Sequence, residues 1–154
     1  MLEVMHMSVE KLLLSLIVGG MIIMVVCVRP LLSQHLQPNN RTEFGKLIEG
    51  ISIQAWNRYN RVAFVSIALL LILDFIQFAI GNKYSYWDLV IETIILFLLL
   101  LKFTLDKSLM KRLMKFGNDA VQSAEQNKGH RLVEMLSKFI LILSIILIIL
   151  PSQG

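Results

Sequence analysis

The chain has 154 residues, of which 56% are hydrophobic, and its formal net charge is +4. This hydrophobic share argues against a soluble globular domain and favours an integral membrane protein. A single cysteine excludes an intramolecular disulfide. We assign the positive charge to loops at the negative cytoplasmic face of a membrane, so the lipid bilayer is the first expected partner and no nucleic acid is expected.

Four apolar stretches are each close to the length that crosses a bilayer, about 20 residues. The first covers residues 11–29 and includes the uncharged run LLLSLIVGGMIIMVVCV, which is too long for the core of a signal peptide. The other three cover residues 62–81, 88–105 and 136–150. The sequence therefore predicts an all-α membrane protein, with one domain over residues 1–154 folded as an antiparallel four-helix transmembrane bundle.

The first long connection is expected to be helical. After Thr42, apolar residues recur at alternating steps of three and four residues, which is the spacing of one helix face. No proline follows before the second span. Helix two is therefore predicted to run unbroken from about Thr42 to Ile80. A short turn at residues 81–88, with glycine and asparagine at its start, should then join it to helix three.

The second long connection shows the same pattern. The apolar period continues past Leu105 as far as Ala124, and a break is predicted at residues 127–129, with His130 opening helix four. Helices two and three should then project from the membrane as a cytoplasmic helical hairpin, at about residues 42–61 and 106–135. Three cations of this hairpin lie off the apolar stripe and are candidates for binding a partner: Lys111, Arg112 and Lys115.

The distribution of positive charge predicts the orientation. Thirteen of the 15 Lys and Arg residues lie in the two long connections or at the span ends that border them, and only Lys11 and Lys83 lie elsewhere. The positive-inside rule therefore places both long connections in the cytoplasm and both termini outside. We expect a multi-pass protein of the plasma membrane or the bacterial inner membrane.

Two acidic residues within the spans are the main candidates for function. Asp74 lies in the second span and Glu92 in the third, and a short turn between these spans brings the two carboxyl groups to a similar depth in the outer half. Gln77, one helical turn from Asp74, can join them. Two carboxyl groups in a low-dielectric site do not readily both ionise, so this pattern outlines a proton or cation site. The alternative is a structural cluster neutralised by Lys11.

Soft-metal ligands in the N-terminal part indicate a second possible chemistry. Thioether, imidazole and thiolate groups favour Cu(I) over hard cations. The candidates are Met5, His6, Met7, Met21, Met24 and Cys27. On a helix the last three spread over about a third of the circumference, and methionine also fills gaps between apolar helices. No cofactor is predicted, and copper is the alternative.

Three short motifs carry a resemblance to a known group. They are the pair Gly19-Gly20, the run Arg29-Pro30-Leu31-Leu32 at the inner end of the first span, and Phe44-Gly45 at the start of the next helix. This pattern resembles small four-helix bacterial membrane proteins of unknown function related to the copper-resistance-D group. The resemblance implies a small helical membrane protein with a histidine at the start of the last span, a position where this sequence has Val133 and Glu134.

The sequence contains no phosphate-binding glycine loop and no nucleophile elbow, so we do not expect an enzyme. The leading hypothesis is an accessory or structural subunit of a membrane complex, with other membrane subunits as partners. The alternative is a channel-like protein or transporter that moves a proton or a cation, copper included, through the outer carboxyl pair. A third possibility is a homo-oligomer that forms such a path between copies.

Overall fold

The computed structural model describes residues 2–35, 44–80, 86–121 and 123–149, and all regular structure in this part is helical. The elements are α1 (Leu2–Ile23), a π-helical turn (Met24–Val28), α2 (Arg29–His35), α3 (Phe44–Ala79), α4 (Tyr86–Phe116), α5 (Asn118–Val121) and α6 (Ala124–Ile149). The prediction of an all-α protein is confirmed. The predicted helix start at Thr42, most of the turn at residues 81–88 and the end of the last span at residue 150 lie outside the described residues.

Among the described residues, three helical stretches are long and apolar enough to cross a membrane: Met5–Leu32, Gly45–Ala79 and Ala124–Ile149. Large apolar side chains cover their outside, for example Leu12, Phe75 and Ile142, whereas the acidic residues Glu10, Glu49 and Asp74 are buried. A soluble protein has the opposite arrangement, so the three helices indicate a membrane protein. Helix α4 is not one of the three, because charged residues interrupt its apolar stretch.

Helix α3 is a single helix from Phe44 to Ala79, as the uninterrupted apolar period predicts. Its 36 residues correspond to a length of roughly 54 Å at 1.5 Å per residue. The hydrocarbon core of a bilayer is only about 30 Å thick. Part of α3 must therefore lie outside the hydrocarbon, and its first turns, which carry Lys46 and Glu49, are the polar part.

The second connection differs from the prediction. Helix α4 ends at Phe116 instead of continuing to Ala124, because Gly117 adopts φ +59° and its N–H donates to the Leu113 carbonyl at 2.9 Å. This is the left-handed helix end that glycine favours. The predicted break at residues 127–129 is also wrong, since these residues lie inside α6.

Local capping explains the early start of α6. The Ser123 hydroxyl oxygen accepts a hydrogen bond from the Gln126 N–H at 3.1 Å, which is the N-cap arrangement. Gly129 does not end the helix, because it serves packing. A Cβ at this position would lie 2.6 Å from the Leu109 Cδ2 atom, so the missing side chain lets α6 approach α4 closely.

Two pairs of neighbouring helices run in opposite directions. Between α1 and α3, the Tyr59 hydroxyl donates to the Ile17 carbonyl at 2.8 Å, and His6 lies against Asp74. Between α3 and α4, Asn60 contacts Asp106, and Asp74 contacts Glu92. Helix α6 packs against both α4 and α1. We call the end where α3 begins and α4 ends the polar end, and the opposite end the turn end.

The largest apolar core lies midway along the helices. Its fully buried members, here named the apolar layer, are Leu14, Ile17, Ile67, Leu70, Ile95, Leu99 and Ile140. A smaller core near the polar end contains Ile53, Leu109, Leu113, Ala120 and Val133. Buried polar groups lie on both sides of the apolar layer, and these two polar regions are the candidate sites.

Candidate functional site

Four carboxyl side chains from three helices meet at the turn end of the apolar layer. The carboxyl cluster consists of Glu10, Asp74, Asp88 and Glu92, and each of these residues is between 0 and 6% exposed. Asp88 and Glu92 are four residues apart on α4, so both point to the same side of that helix. Glu10 comes from α1 and Asp74 from α3. Burial of four acidic groups in a small protein is costly unless protons or positive charges compensate them.

The carboxyl groups of the cluster face one another. The Glu92 carboxyl lies in hydrogen-bonding contact with the Asp74 carboxyl, and Glu10 faces both Asp74 and Asp88. On its other side, the Asp74 Oδ1 atom lies 2.9 Å from the His6 Nε2 atom. A carboxylate has no donor, so two carboxyl groups form a hydrogen bond only when one of them is protonated. A proton placed between Asp74 and Glu92 would turn their contact into a hydrogen bond and remove the repulsion between two carboxylates.

The structure brings together the two acidic residues that the sequence singled out, and it adds three groups. The sequence analysis did not single out Glu10, placed Asp88 in the predicted turn and named His6 as a candidate copper ligand. The spacing of Asp88 and Glu92 by four residues was the signal that could have revealed the larger cluster. Lys11, the expected neutralising partner, is exposed, and His6 occupies the position beside Asp74. Gln77 is half-buried, one turn after Asp74.

A second buried polar group lies on the other side of the apolar layer. The Asn60 side-chain amide donates to the Asp106 Oδ2 atom at 2.7 Å, and both residues are almost fully buried. Lys102 lies one helical turn before Asp106 on α4 and is fully buried. Its Nζ atom lies 4.8 Å from the centroid of the Trp56 ring and 5.7 Å from that of Tyr59, within the range of cation–π interactions.

A cleft of about 270 Å³ opens beside this group, and we call it the polar-end cleft. Its charged lining residues are Arg29, Glu49, Asp106, His130 and Glu134, and Ser52, Trp56 and Asn127 also line it. Sequence reasoning did not find this site, because its residues come from four separate segments and form no motif.

Two ion pairs close the walls of the polar-end cleft. The His130 Nε2 atom contacts the Glu49 carboxylate, which also accepts a hydrogen bond from the Gln126 amide at 2.9 Å. Burial raises the pKa of Glu49, but the hydrogen bond from His130, the charge of His130 and the bond from Gln126 outweigh it and hold the pKa below its ordinary value. The Arg29 guanidinium lies 2.7 Å from Glu134, and this hydrogen bond lowers the pKa of the Glu134 carboxyl.

The soft-metal candidates do not converge. Met21 and Met24 are buried in the apolar core, whereas Met5, Met7 and Cys27 are exposed. In the part of the chain that the structure describes, no group of three or more His, Cys, Asp or Glu side chains has an arrangement that could hold a metal ion.

The three cations predicted to bind a partner lie near the polar end. The Arg112 guanidinium bonds Glu125 of α6 at 2.7 Å and so joins two helices of the same chain. Lys111 and Lys115 are exposed, and the Lys115 Nζ atom lies 5.1 Å from the centroid of the Phe116 ring.

Residues 12–119 match the model of a family described as a domain of unknown function, DUF4149. The chain belongs to this family. The matched DUF4149 region runs from α1 into α5 and contains Asp74, Asp88 and Glu92 together with Lys102 and Asp106. Comparisons with curated proteins and with solved structures gave no match. The DUF4149 description names no activity, so the function is argued from the two polar sites.

Proposed function

We propose that this DUF4149 protein is a proton-carrying membrane protein whose carboxyl cluster binds and releases protons in the outer half of the bilayer. The observation that carries the proposal is the burial of four acidic side chains from three helices in one cluster, because such groups repel one another in a low-dielectric site unless protons neutralise them. A proton site of this kind can serve a transporter or a channel-like protein. The proposal concerns binding and movement of protons, and we propose no catalytic activity.

The proposal includes four spans in an antiparallel bundle, with both termini outside. The surface of α4 supports its role as the fourth span. Ile94, Phe97 and Leu100 are exposed on one side of this helix, whereas its charged residues Asp88 and Glu92 are buried on the other. A lipid-facing helix in a bundle needs this division between an apolar outside and a polar inside. The positive-inside rule then puts the polar end in the cytoplasm.

A proton is a better occupant of the carboxyl cluster than a metal ion. Four carboxylates at short range in a low-dielectric site repel one another, and protonation removes this repulsion without any coordination geometry. A cation would need oxygen ligands arranged around one point, and the described residues do not supply such a group. Copper, which the resemblance to the copper-resistance-D group would favour, gains no support from the dispersed methionines and Cys27.

The test of this proposal is proton binding by the purified protein. Infrared difference spectra follow the C=O stretch of protonated carboxyl groups as the pH changes, and a pH-sensitive dye inside proteoliposomes reports proton flux. We expect Glu92→Gln to remove the carboxylic acid band of the cluster and to reduce the flux to that of empty liposomes. Glutamine has nearly the shape of a protonated glutamate, so this variant should still fold.

The matched control is Asp119→Asn, because Asp119 is an exposed carboxyl residue near the polar end. This variant should keep both the band and the flux. A Glu92→Gln protein that elutes as a folded species and retains the wild-type band and flux would contradict the proposal. Asp74→Asn should act in the same direction as Glu92→Gln, because it removes the other titratable group of the same contact.

A second candidate function is an accessory or structural subunit, and one observation favours it. Four large apolar side chains are exposed near the polar end, outside the predicted spans: Leu47, Ile51, Met114 and Phe116. The Lys46 N–H donates to the Asn118 side chain at 3.0 Å, so the start of α3 lies beside the segment that follows α4. Exposed apolar groups that lipid does not cover are typical of a protein interface.

A further inference from the structure

Asp106 differs from the other carboxyl groups that line the polar-end cleft. Glu49 contacts His130 and Glu134 contacts Arg29, so each of these carboxylates has a basic partner in direct contact. The direct contact of Asp106 is with Asn60, whose amide is neutral. Asp106 is 2% exposed, yet it lies in the lining of the cleft. It is therefore a buried carboxyl group at the inner edge of a polar cavity.

The surroundings of Asp106 separate the cleft from the rest of the bundle. Trp56 lines the cleft, and its ring lies against the Lys102 ammonium, so this side chain stands between the cavity and the buried cation. Beyond Lys102 begins the apolar layer. Ten residues separate Lys102 from Glu92 on α4, which is roughly 15 Å along the helix axis. Ile95 and Leu99 fill this interval on the buried face.

The cleft is large and polar enough to hold water. Its volume of about 270 Å³ compares with a share of about 30 Å³ for one water molecule in the liquid, and its walls provide carboxylate, guanidinium, imidazole and amide groups. The charged groups that face Asp106 are Lys102 on its own helix and His130 on α6. The neutral Asn60 faces it from α3.

We propose that the polar-end cleft is the aqueous inner entrance of the proton path and that Asp106 is the group that exchanges protons with it. The proposal rests on the proposed function and adds the second site that a path across the membrane requires. In this exchange a hydronium ion in the cleft gives its proton to the Asp106 carboxylate, leaving water and a neutral carboxylic acid. The return step restores the carboxylate and its favourable interaction with the Lys102 ammonium.

The first test measures water access from each side of the membrane. A Cys27→Ser background removes the single native cysteine. Ser52→Cys then places a thiol in the lining of the cleft, and Ser144→Cys is the matched control, because Ser144 is fully buried on α6 beyond the cleft. In inverted vesicles a membrane-impermeant maleimide should label Ser52→Cys and not Ser144→Cys. Equal labelling of the two variants would contradict the assignment of the polar-end cleft as the entrance. The absence of labelling of a folded Ser52→Cys protein from either side would contradict it as well.

The second test separates this proposal from the proposed function. Asp106→Asn should abolish proton flux in proteoliposomes while leaving the carboxylic acid band of the carboxyl cluster unchanged, because the apolar layer lies between the two sites. Full flux in a folded Asp106→Asn protein whose Glu92→Gln counterpart is inactive would overturn the role of Asp106 and leave the proposed function standing. A Glu92→Gln protein with full flux would overturn the proposed function, whatever the labelling of the cleft. If Asp106→Asn does not fold, the thiol labelling alone tests whether the polar-end cleft is the aqueous entrance.

Discussion

Lys102 is the largest fully buried side chain in the described part of the chain. An ammonium in such a place needs compensation, because transfer of an isolated charge from water into an apolar interior is unfavourable by many kcal/mol. The compensation comes from three sources: the ring faces of Trp56 and Tyr59, and the carboxyl group of Asp106 one turn further along α4. Burial of Lys102 therefore depends on Asp106, and the reverse also holds.

This dependence predicts a strong coupling between two substitutions. Lys102→Met removes the ammonium but keeps most of the apolar stem, and it leaves the buried Asp106 without one of the two basic groups that face it. We expect a loss of about 3 kcal/mol in the free energy of unfolding, because removal of one partner of a buried pair is more harmful than removal of both. The double variant Lys102→Met with Asp106→Asn should recover most of this loss in a thermal unfolding measurement in detergent. A loss in the double variant equal to the sum of the two single losses would show that the charges are independent.

In the first span, the two neighbouring glycines have different surroundings. A Cβ on Gly20 would lie 2.7 Å from the Cε2 atom of Tyr59, whereas a Cβ on Gly19 would have no heavy atom within 4 Å. The Tyr59 ring has little freedom to move aside, because its hydroxyl is bonded to the Ile17 carbonyl. A π-helical turn follows at Met24–Val28 and shifts the helix register before Arg29 reaches Glu134. Gly20 therefore sets the approach of α1 to α3.

Alanine substitutions at the two glycines should have opposite effects. Gly20→Ala must displace the Tyr59 ring, and overpacking of this kind costs about 1–3 kcal/mol, which exceeds the gain of up to about 1 kcal/mol from replacing a helical glycine. Gly19→Ala keeps only that gain. We expect the midpoint of thermal unfolding to fall for Gly20→Ala and to rise or stay the same for Gly19→Ala. A fall of the same size for both variants would contradict the role assigned to the Tyr59 contact.

The sequence predicted the membrane class and the long helix α3, because length and apolar period are local properties that lipid and helix geometry impose directly. The end of α4 at Phe116 and the start of α6 at Ala124 were missed. Both boundaries depend on one glycine conformation and one serine cap, and such single-residue choices outweigh a weak apolar period.

The two sites were predictable to different extents. A short turn joins the two helices that carry Asp74 and Glu92. Counting equal numbers of residues on either side of that turn placed the two carboxyl groups at a similar depth. Glu10 and His6 join from α1, and their position depends on how that helix packs against α3 and α6. The polar-end cleft collects single residues from distant segments, for example Arg29 and His130. Only the packed arrangement of all the helices brings them together, and no sequence spacing encodes it.

The exposed apolar groups at the polar end lead to a prediction about assembly. If the chain is an accessory subunit, a second membrane subunit covers Met114 and Phe116, and an acidic rim on that subunit would complement the nearby exposed cations such as Lys111 and Lys115. Met114→Ser with Phe116→Ser should then release the partner from the complex purified in mild detergent. Native mass spectrometry measures the mass and stoichiometry of that complex.

The matched control lies on the same helix. Phe97 is exposed to a similar degree as Phe116, but its position is within the predicted span, where lipid covers it. Phe97→Ser should therefore leave the complex intact. Purification of the wild-type chain without another subunit, or release of the partner by Phe97→Ser as well, would contradict the accessory role. Because the carboxyl cluster is built from α1, α3 and α4 of one chain, its proton binding should persist after the partner is released. Loss of the carboxylic acid band on release would instead make the partner necessary for the proton site.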